Sequence, residues 1–239
     1  MVQNTKASVY SYSLKADSDY KVGLKEMHLE GNLLVIEGEE IWALLPGEFN
    51  ACNLIAVYAA CRILGHNKTD VLKALSLQKS AAGRFEIFTS PKGTVAIVDY
   101  AHTPDALENV LKTLSKIVNS DKRIITIVGA GGDRDKTKRP EMAKIAAELS
   151  DKVILTSDNP RSENPEDIIR DMELGLSKEL KSKTVSIIDR NEAIKISCSF
   201  AESNDVILLA GKGHENYQEI NAVKFPFDDR EKIKEYLNI

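Results

Sequence analysis

From Thr94 onward the chain alternates short, continuous apolar runs with stretches whose apolar residues recur at helical spacing. The runs predict strands at about 94–99 (TVAIVD), 124–129 (IITIVG), 152–156 (KVILT), 184–188 (TVSII) and 205–210 (DVILLA). Runs without polar alternation suit strands covered on both faces. Between them the helices announce their own starts. The first has Thr103 as cap and Pro104 at its first position, with Leu107, Val110, Leu111 and Leu114 as its apolar stripe. The second starts near Pro140 and turns Met142, Ile145, Ala146 and Leu149 inward. The third pairs Asn164 as cap with Pro165, the fourth opens on an Asp189-x-x-Glu192 capping box, and the last spans about 229–237. Strand and helix alternating at this spacing imply an α/β fold, a Rossmann-like, doubly wound and mostly parallel sheet with right-handed crossovers. The loops after its strands then share one edge, where such sheets bind ligands.

Before Thr94 the pattern differs. SVYSYSL and HLEGNLLVIEGEEIWALL favour strands, punctuated at Gly31-Asn32 and Gly38-Glu39, and predict a strand pair or meander. From Asn50 the period becomes 3.6, with Leu54, Val57, Tyr58 and Cys61 on one face and Gly65 placed to stop the helix. A second short helix is expected at about 69–75. The polar, unpatterned stretch from Gln78 to Gly83 divides the chain into domains 1–82 and 83–239. The first has no complete βαβ series and reads as the end of a larger α/β domain.

Bulk composition narrows the partners. A net charge of −4 over 239 residues gives no general attraction for nucleic acid or an anionic membrane, so an anionic ligand must be held by local cations. No apolar run approaches the ~18 residues of a membrane span, and the first residues lack the build of a signal peptide. Cys52, Cys61 and Cys198 show neither CxxC nor zinc-finger spacing, and are expected as small buried hydrophobes in a reducing compartment. A cytoplasmic monomer is the expectation.

Four loops carry candidate chemistry. In GAGGDRDKTKRP, glycines at 129, 131 and 132 let the backbone approach a ligand, and Arg134, Lys136, Lys138 and Arg139 supply cations. The third glycine of a dinucleotide fingerprint is missing. In SDNPRSENP, Asp158 and Asn159 suit a locally bonded turn, Pro160 stiffens it, and Arg161 projects a fork matched to a carboxylate or phosphate. In AGKGHENYQ, Gly211 is followed by Lys212, His214 and Glu215; a carboxylate opposite two arginines is what a zwitterionic amino acid requires. In DYAHTPD, Asp99 suits ribose hydroxyls and His102 a nucleotide, or both simply form the turn. Asn50 and Asn53 suit an adenine edge or a helix cap, and Arg84 stands at the domain boundary. GxxxxGK[ST], GxSxG, HExxH and EF-hand patterns are absent from the sequence.

In this order and at these intervals, FNACN (49–53), GRFE (83–86), DYAHTPDALENVL, GGDRDKTKRPEMA, TSDNPRSE and AGKGHENYQ resemble the C-terminal half of the Mur ligases. Within that family the DNPR form resembles the branch that adds meso-diaminopimelate as third residue of the peptidoglycan stem. The resemblance implies an ATP- and Mg2+-dependent ligase of cell-wall synthesis, which phosphorylates the carboxylate of a UDP-N-acetylmuramoyl dipeptide and lets an amine attack the acyl phosphate. Carried across by position, it implies that Arg134, Asp158, Asn159, Pro160, Arg161, Gly211 and Glu215 hold the amino acid. Asn50, Asn53, Arg84, Asp99 and His102 would fall on the nucleotide side, and Lys136 near the reacting phosphates, as the catalytic lysine. It also implies that residues 1–82 are the C-terminal part of a central ATPase domain whose phosphate loop and metal ligands lie outside this sequence. The chain alone is then expected not to ligate. A stand-alone amino-acid-binding module, and a lysine-adding or folylpolyglutamate-type ligase, are the alternatives.

Overall fold

The apolar runs become two separate layered units, Met1–Ser80 and Ala81–Ile239, in a computed structural model that describes residues 4–118 and 122–239. Residues 1–3 of the expected first domain lie outside the described residues. In the first unit, β1 (Tyr12–Ser13), β2 (Tyr20–His28), β3 (Gly31–Ile36) and β4 (Glu39–Ala43) form a sheet in that order. β1 runs parallel to β2, and the other pairs are antiparallel. β2 is the strand the sequence reading missed. Its alternation of Val22 and Leu24 with Lys21 and Lys25 carried the signal, interrupted by Gly23.

Helices α1 (Glu48–Ile63) and α2 (Lys68–Ser76) follow. Val22, Leu34 and Ile36 pack in one core with Leu54, Ile55 and Tyr58 of α1 and with Val71 and Leu72 of α2. Buried Asn32 pins the entry to α1: its Nδ2 donates to the carbonyls of Leu45 and Gly47, each at 2.9 Å, and its Oδ1 accepts from Gly47 N at 3.2 Å. The helix starts at Glu48 with Gly47 before it and no side-chain cap. Asn50 and Asn53 therefore lie inside it and do not cap it.

The second unit contains β5 (Glu86–Thr89), β6 (Val95–Asp99), α3 (Pro104–Ile117), β7 (Ile124–Ala130), α4 (Lys138–Leu149), β8 (Lys152–Ser157), α5 (Pro165–Glu173), α6 (Lys178–Lys181), β9 (Thr184–Ser186), α7 (Arg190–Phe200), β10 (Val206–Ala210), β11 (Tyr217–Ile220), β12 (Val223–Pro226) and α8 (Asp229–Leu237). Its sheet has the order β5-β6-β10-β7-β8-β9. All neighbours are parallel except β5, which runs antiparallel to β6 at the edge. Every residue of β7 and β10 is buried, as continuous apolar runs require. On one face Ile125, Ile127, Ile207 and Leu209 pack with Ala193 and Ile194 of α7 and Ile233 and Leu237 of α8. Helices α3, α4 and α5 cover the other.

The helix starts follow their caps. Thr103, Asn164 and Asp189 accept from the backbone N–H of Ala106, Glu166 and Glu192. Besides β5 and α6, which were not among the expected elements, two features escape the sequence pattern. The hairpin of β11 and β12 turns at Asn221 and Ala222, with φ of 49° and 62°; two left-handed residues are the usual hairpin turn, but an alanine hides it. The other is an ion pair with both side chains at 0% exposure, Arg190 of α7 donating to Asp229 of α8 at 2.8 and 2.7 Å.

The cysteines correct an expectation. All are free but of intermediate exposure; on α1 it is Leu54, Ile55 and Tyr58, not Cys52 and Cys61, that carry the buried stripe. No helix among the described residues is long and apolar enough to cross a membrane.

Candidate functional site

Strand register brings the loops after β6, β7, β8 and β10 to one edge. Ala210 pairs with both Asp99 and Val128, and Ala130 pairs with Ser157. A cavity of about 360 Å³ opens there. Of the predicted amino-acid residues, Arg134, Asp158 and Asn159 line it, as do Arg161, Gly211 and Glu215. His102 from the predicted nucleotide side joins them. The loop after β7 adds Asp135, and α4 adds Lys138, Arg139 and Met142.

Close backbone approach builds the walls. A Cβ at Gly132 would sit 1.9 Å from the Pro160 carbonyl oxygen, and one at Gly211, whose φ is +113°, would sit 2.8 Å from Asp158 Oδ2. Only glycine lets these loops meet. Hydrogen bonds then lock them. Asp133, at φ 53°, accepts from the Ser162 hydroxyl at 2.6 Å and the Ser162 N–H at 3.2 Å. The Ser162 hydroxyl bond is the chief reason the Asp133 carboxyl is held below its usual range. Arg161, also left-handed at φ 51°, donates Nη1 to the Gly132 carbonyl at 2.7 Å and lies with Nε 3.4 Å from Glu219.

The sequence suggested that Asp158 and Asn159 bond locally to make a turn. For Asn159 the structure corrects this: its side chain reaches across to the hairpin and the loop after β10. Oδ1 accepts from Glu219 N at 2.9 Å and Lys212 Nζ at 3.3 Å, and Nδ2 donates to Glu215 Oε2 at 2.8 Å. The β11 hairpin buttresses the same loop again, with Gln218 Nε2 donating to the Asp158 carbonyl at 2.7 Å and Arg161 N to the Glu219 carbonyl at 2.9 Å.

Charges in the cavity are mixed. Arg134 is exposed at its mouth and has no partner among the described residues, whereas Arg139 is buried beneath it. Arg139 Nη2 donates to Glu163 Oε1 at 2.8 Å and Nη1 to Glu163 Oε2 at 3.0 Å and to Asp171 at 2.8 Å. Asp135 accepts from the hydroxyl and N–H of Thr137, and the hydroxyl bond leads in keeping its carboxyl below the ordinary value. Guanidinium groups and carboxylates in one concave site suit a small molecule bearing both charges.

Other predicted residues stand elsewhere. Lys136 is exposed and bridges to Glu163 at 3.0 Å, outside the lining. Pro160 is buried beneath its loop, its carbonyl accepting from Glu163 N at 3.0 Å. Asp99 is buried, and its Oδ2 accepts from Phe85 N at 2.7 Å; burial dominates and raises its pKa against that bond. Arg84 lies over the Tyr100 ring at 4.6 Å, and that ring meets His102 at 4.5 Å and His214 at 5.2 Å between centroids. Asn50 and Asn53 belong to the first unit, where Asn50 Nδ2 donates to the Pro46 carbonyl at 2.8 Å.

Sequence reasoning missed Tyr100 and Thr103 on the cavity wall, the anchoring by Arg139, and the burial of Lys212. Tyr100 had a signal, standing between Asp99 and His102. Nothing in a run of charges distinguishes Arg139 from its exposed neighbours.

Comparison with known proteins bears on this edge. The family described as Mur ligase, glutamate ligase domain, matches residues 83–213. A UDP-N-acetylmuramoyl-L-alanyl-D-glutamate–2,6-diaminopimelate ligase of Bacteroides fragilis is 55% identical over all of this chain and 49% of its own length. The ligase of the same name from Clostridioides difficile is 44% identical, over 98% of this chain and 46% of its own length. The chain thus spans about half the length of such relatives. A solved structure of a ligase of that name superposes with a TM-score of 0.69 at 38% identity, covering 96% of this chain and 47% of the other. The UDP-N-acetylmuramate-alanine ligase of Thermotoga maritima, at 22% identity, shares the fold with a TM-score of 0.68 over 96% of this chain and 47% of its own. With its second unit carrying a family match that covers over half the chain, this protein belongs to the Mur ligase family.

Proposed function

We propose that this chain is the C-terminal half of an ATP-dependent ligase that joins meso-diaminopimelate to UDP-N-acetylmuramoyl-L-alanyl-D-glutamate through an acyl phosphate. The observation that carries this is the joint presence of Arg134, Arg161, Asn159 and Glu215 in one cavity. Diaminopimelate has two ammonium and two carboxylate groups, and this lining offers partners for both. In this reading residues 83–239 hold the amino acid, with Arg134 and Arg161 on its carboxylates and Glu215, backed by Asp158, on an ammonium. Asn159 and Gly211 shape the contact, and Pro160 fixes the loop. Residues 1–82 are the end of the central ATPase domain.

The residues present fit a nucleotide: Tyr100 and His102 offer flat faces beside the Arg84 guanidinium. Arg84 and His102 would hold it, with Asp99 fixing the Phe85 turn behind them. ATP supplies the phosphoryl group that activates the carboxylate. This chain's share is to orient the amine for attack and to screen negative charge, the second task falling to Lys136 at the end of the β7 loop. Among the described residues no cluster of three or more His, Cys, Asp or Glu is arranged to hold a metal ion.

Calorimetric titration of the chain with meso-diaminopimelate, lysine and glutamate tests the assignment. Diaminopimelate is expected to bind and lysine to bind at least about tenfold more weakly, because lysine leaves the Arg161 fork without its carboxylate. Lysine binding as tightly as diaminopimelate would overturn it.

A further inference from the structure

Lys212 stands between two cavity residues, Gly211 and Glu215, yet is itself at 0% exposure. A buried ammonium needs its donors satisfied. Here Nζ donates to the Tyr217 carbonyl at 2.6 Å, to Asn159 Oδ1 at 3.3 Å and to Glu215 Oε2 at 3.3 Å. The last two acceptors belong to residues that line the cavity. Their own bonds close a ring, because Asn159 Nδ2 donates to Glu215 Oε2 at 2.8 Å while Glu219 N donates to Asn159 Oδ1 at 2.9 Å.

This ring leaves one orientation for the Asn159 amide. Two donors, the Lys212 ammonium and the Glu219 N–H, face its oxygen, so its nitrogen must face Glu215. Rotating the amide by half a turn would set NH2 against both donors and the amide oxygen against a carboxylate. The same ammonium gives Glu215 a buried countercharge, and the carboxylate has no other charged hydrogen-bond partner among the described residues. A carboxylate anchored on one oxygen keeps the second for a ligand.

We infer that Lys212 is a positioning residue that sets the amide of Asn159 and the carboxylate of Glu215 for the ammonium group of the amino-acid substrate. The inference rests on the function proposed above for its ligand, and its geometry stands on this structure alone. Lys212 touches no substrate. It acts through Glu215.

A double-mutant cycle on the 239-residue chain separates this role from bulk stability. Diaminopimelate is titrated into wild type, Lys212→Met, Glu215→Gln and the double variant. Lys212→Met is expected to weaken binding by about thirtyfold when Glu215 is present and by less than about threefold when it is Gln. Equal fold losses in both backgrounds overturn the inference, because a merely structural lysine costs the same in each. A second measurement holds even if Lys212→Met fails to fold. In ligand-free wild type, nitrogen-15 NMR is expected to show slowly exchanging protons on Lys212 Nζ and Asn159 Nδ2, and rapid solvent exchange at Lys212 overturns it. A wild-type chain that binds no diaminopimelate overturns the substrate assignment, and the exchange rates then decide the positioning role by themselves.

Discussion

Arg139 and Glu163 meet through two parallel hydrogen bonds, Nη2 to Oε1 at 2.8 Å and Nη1 to Oε2 at 3.0 Å, which tie the start of α4 to the loop after β8. Glu163 also accepts from Asp133 N at 2.7 Å, and Arg139 reaches the Gly131 carbonyl at 3.3 Å. One guanidinium therefore holds both loops that carry the cavity's arginines.

Replacing Arg139 by Met should destabilise the second unit by about 3 kcal/mol, since it removes a buried guanidinium that gives two hydrogen bonds to Glu163 and one to Asp171. The lower end of the range applies because Asp171, its second partner, is 37% exposed. Urea unfolding measures this. A midpoint unchanged from wild type would show that the tie is dispensable.

Acid should loosen the same tie. The Arg139 hydrogen bonds, opposed by desolvation, hold the Glu163 carboxyl at about 2 against an ordinary 4.5. A depressed folded-state pKa stabilises above the unfolded value, and that stabilisation is lost as pH falls from about 4.5 toward about 2. Denaturant midpoints followed over this window should fall more steeply for wild type than for Glu163→Gln. Parallel pH curves would refute the assignment.

At Gly132 an added methyl would stand 1.9 Å from a backbone oxygen of Pro160, which cannot swing aside as a side-chain tip does. Gly132→Ala should therefore push the loops after β7 and β8 apart and cost about 1–3 kcal/mol. The readout is thermal unfolding together with diaminopimelate affinity, and both should drop. Wild-type values for both would mean that the loops have slack.

Arg161→Lys tests the fork rather than the charge. An ammonium cannot keep the Gly132 carbonyl, Glu219 and a ligand carboxylate together in a planar array. Diaminopimelate binding should weaken by roughly 1.5–3 kcal/mol, the loss of one charge-assisted hydrogen bond, while lysine binding changes little. A similar loss for both amino acids would remove Arg161 from specificity.

Much of the second unit was legible because its physics is local. Continuous runs such as Ile124–Val128 and Val206–Leu209 have to be buried, and Thr103, Asn164 and Asp189 cap helices with their own side chains. The loops at one edge followed from those strands. What stayed hidden is long-range. Lys212 and Asn159 stand 53 positions apart, and nothing near either residue marks one as buried or the other as its partner. Arg190 and Asp229, 39 apart, are likewise ordinary charged residues until α7 and α8 pack. The hairpin turn at Asn221-Ala222 was missed for a local reason, an alanine where glycine usually gives the sign.

Strand β10 lies between β6 and β7, although its residues are the last of the six to leave the ribosome. Until Val206–Ala210 emerge, β6 and β7 have no bond to each other, and each presents an unpaired edge. The nascent chain must hold two half-sheets apart while more than seventy residues are added after β7. Docking of one five-residue strand then joins them, and the same event delivers Gly211 and Glu215 to the cavity, with Lys212 buried behind them. The binding edge is therefore completed only once β10 has been made, when the sheet itself closes.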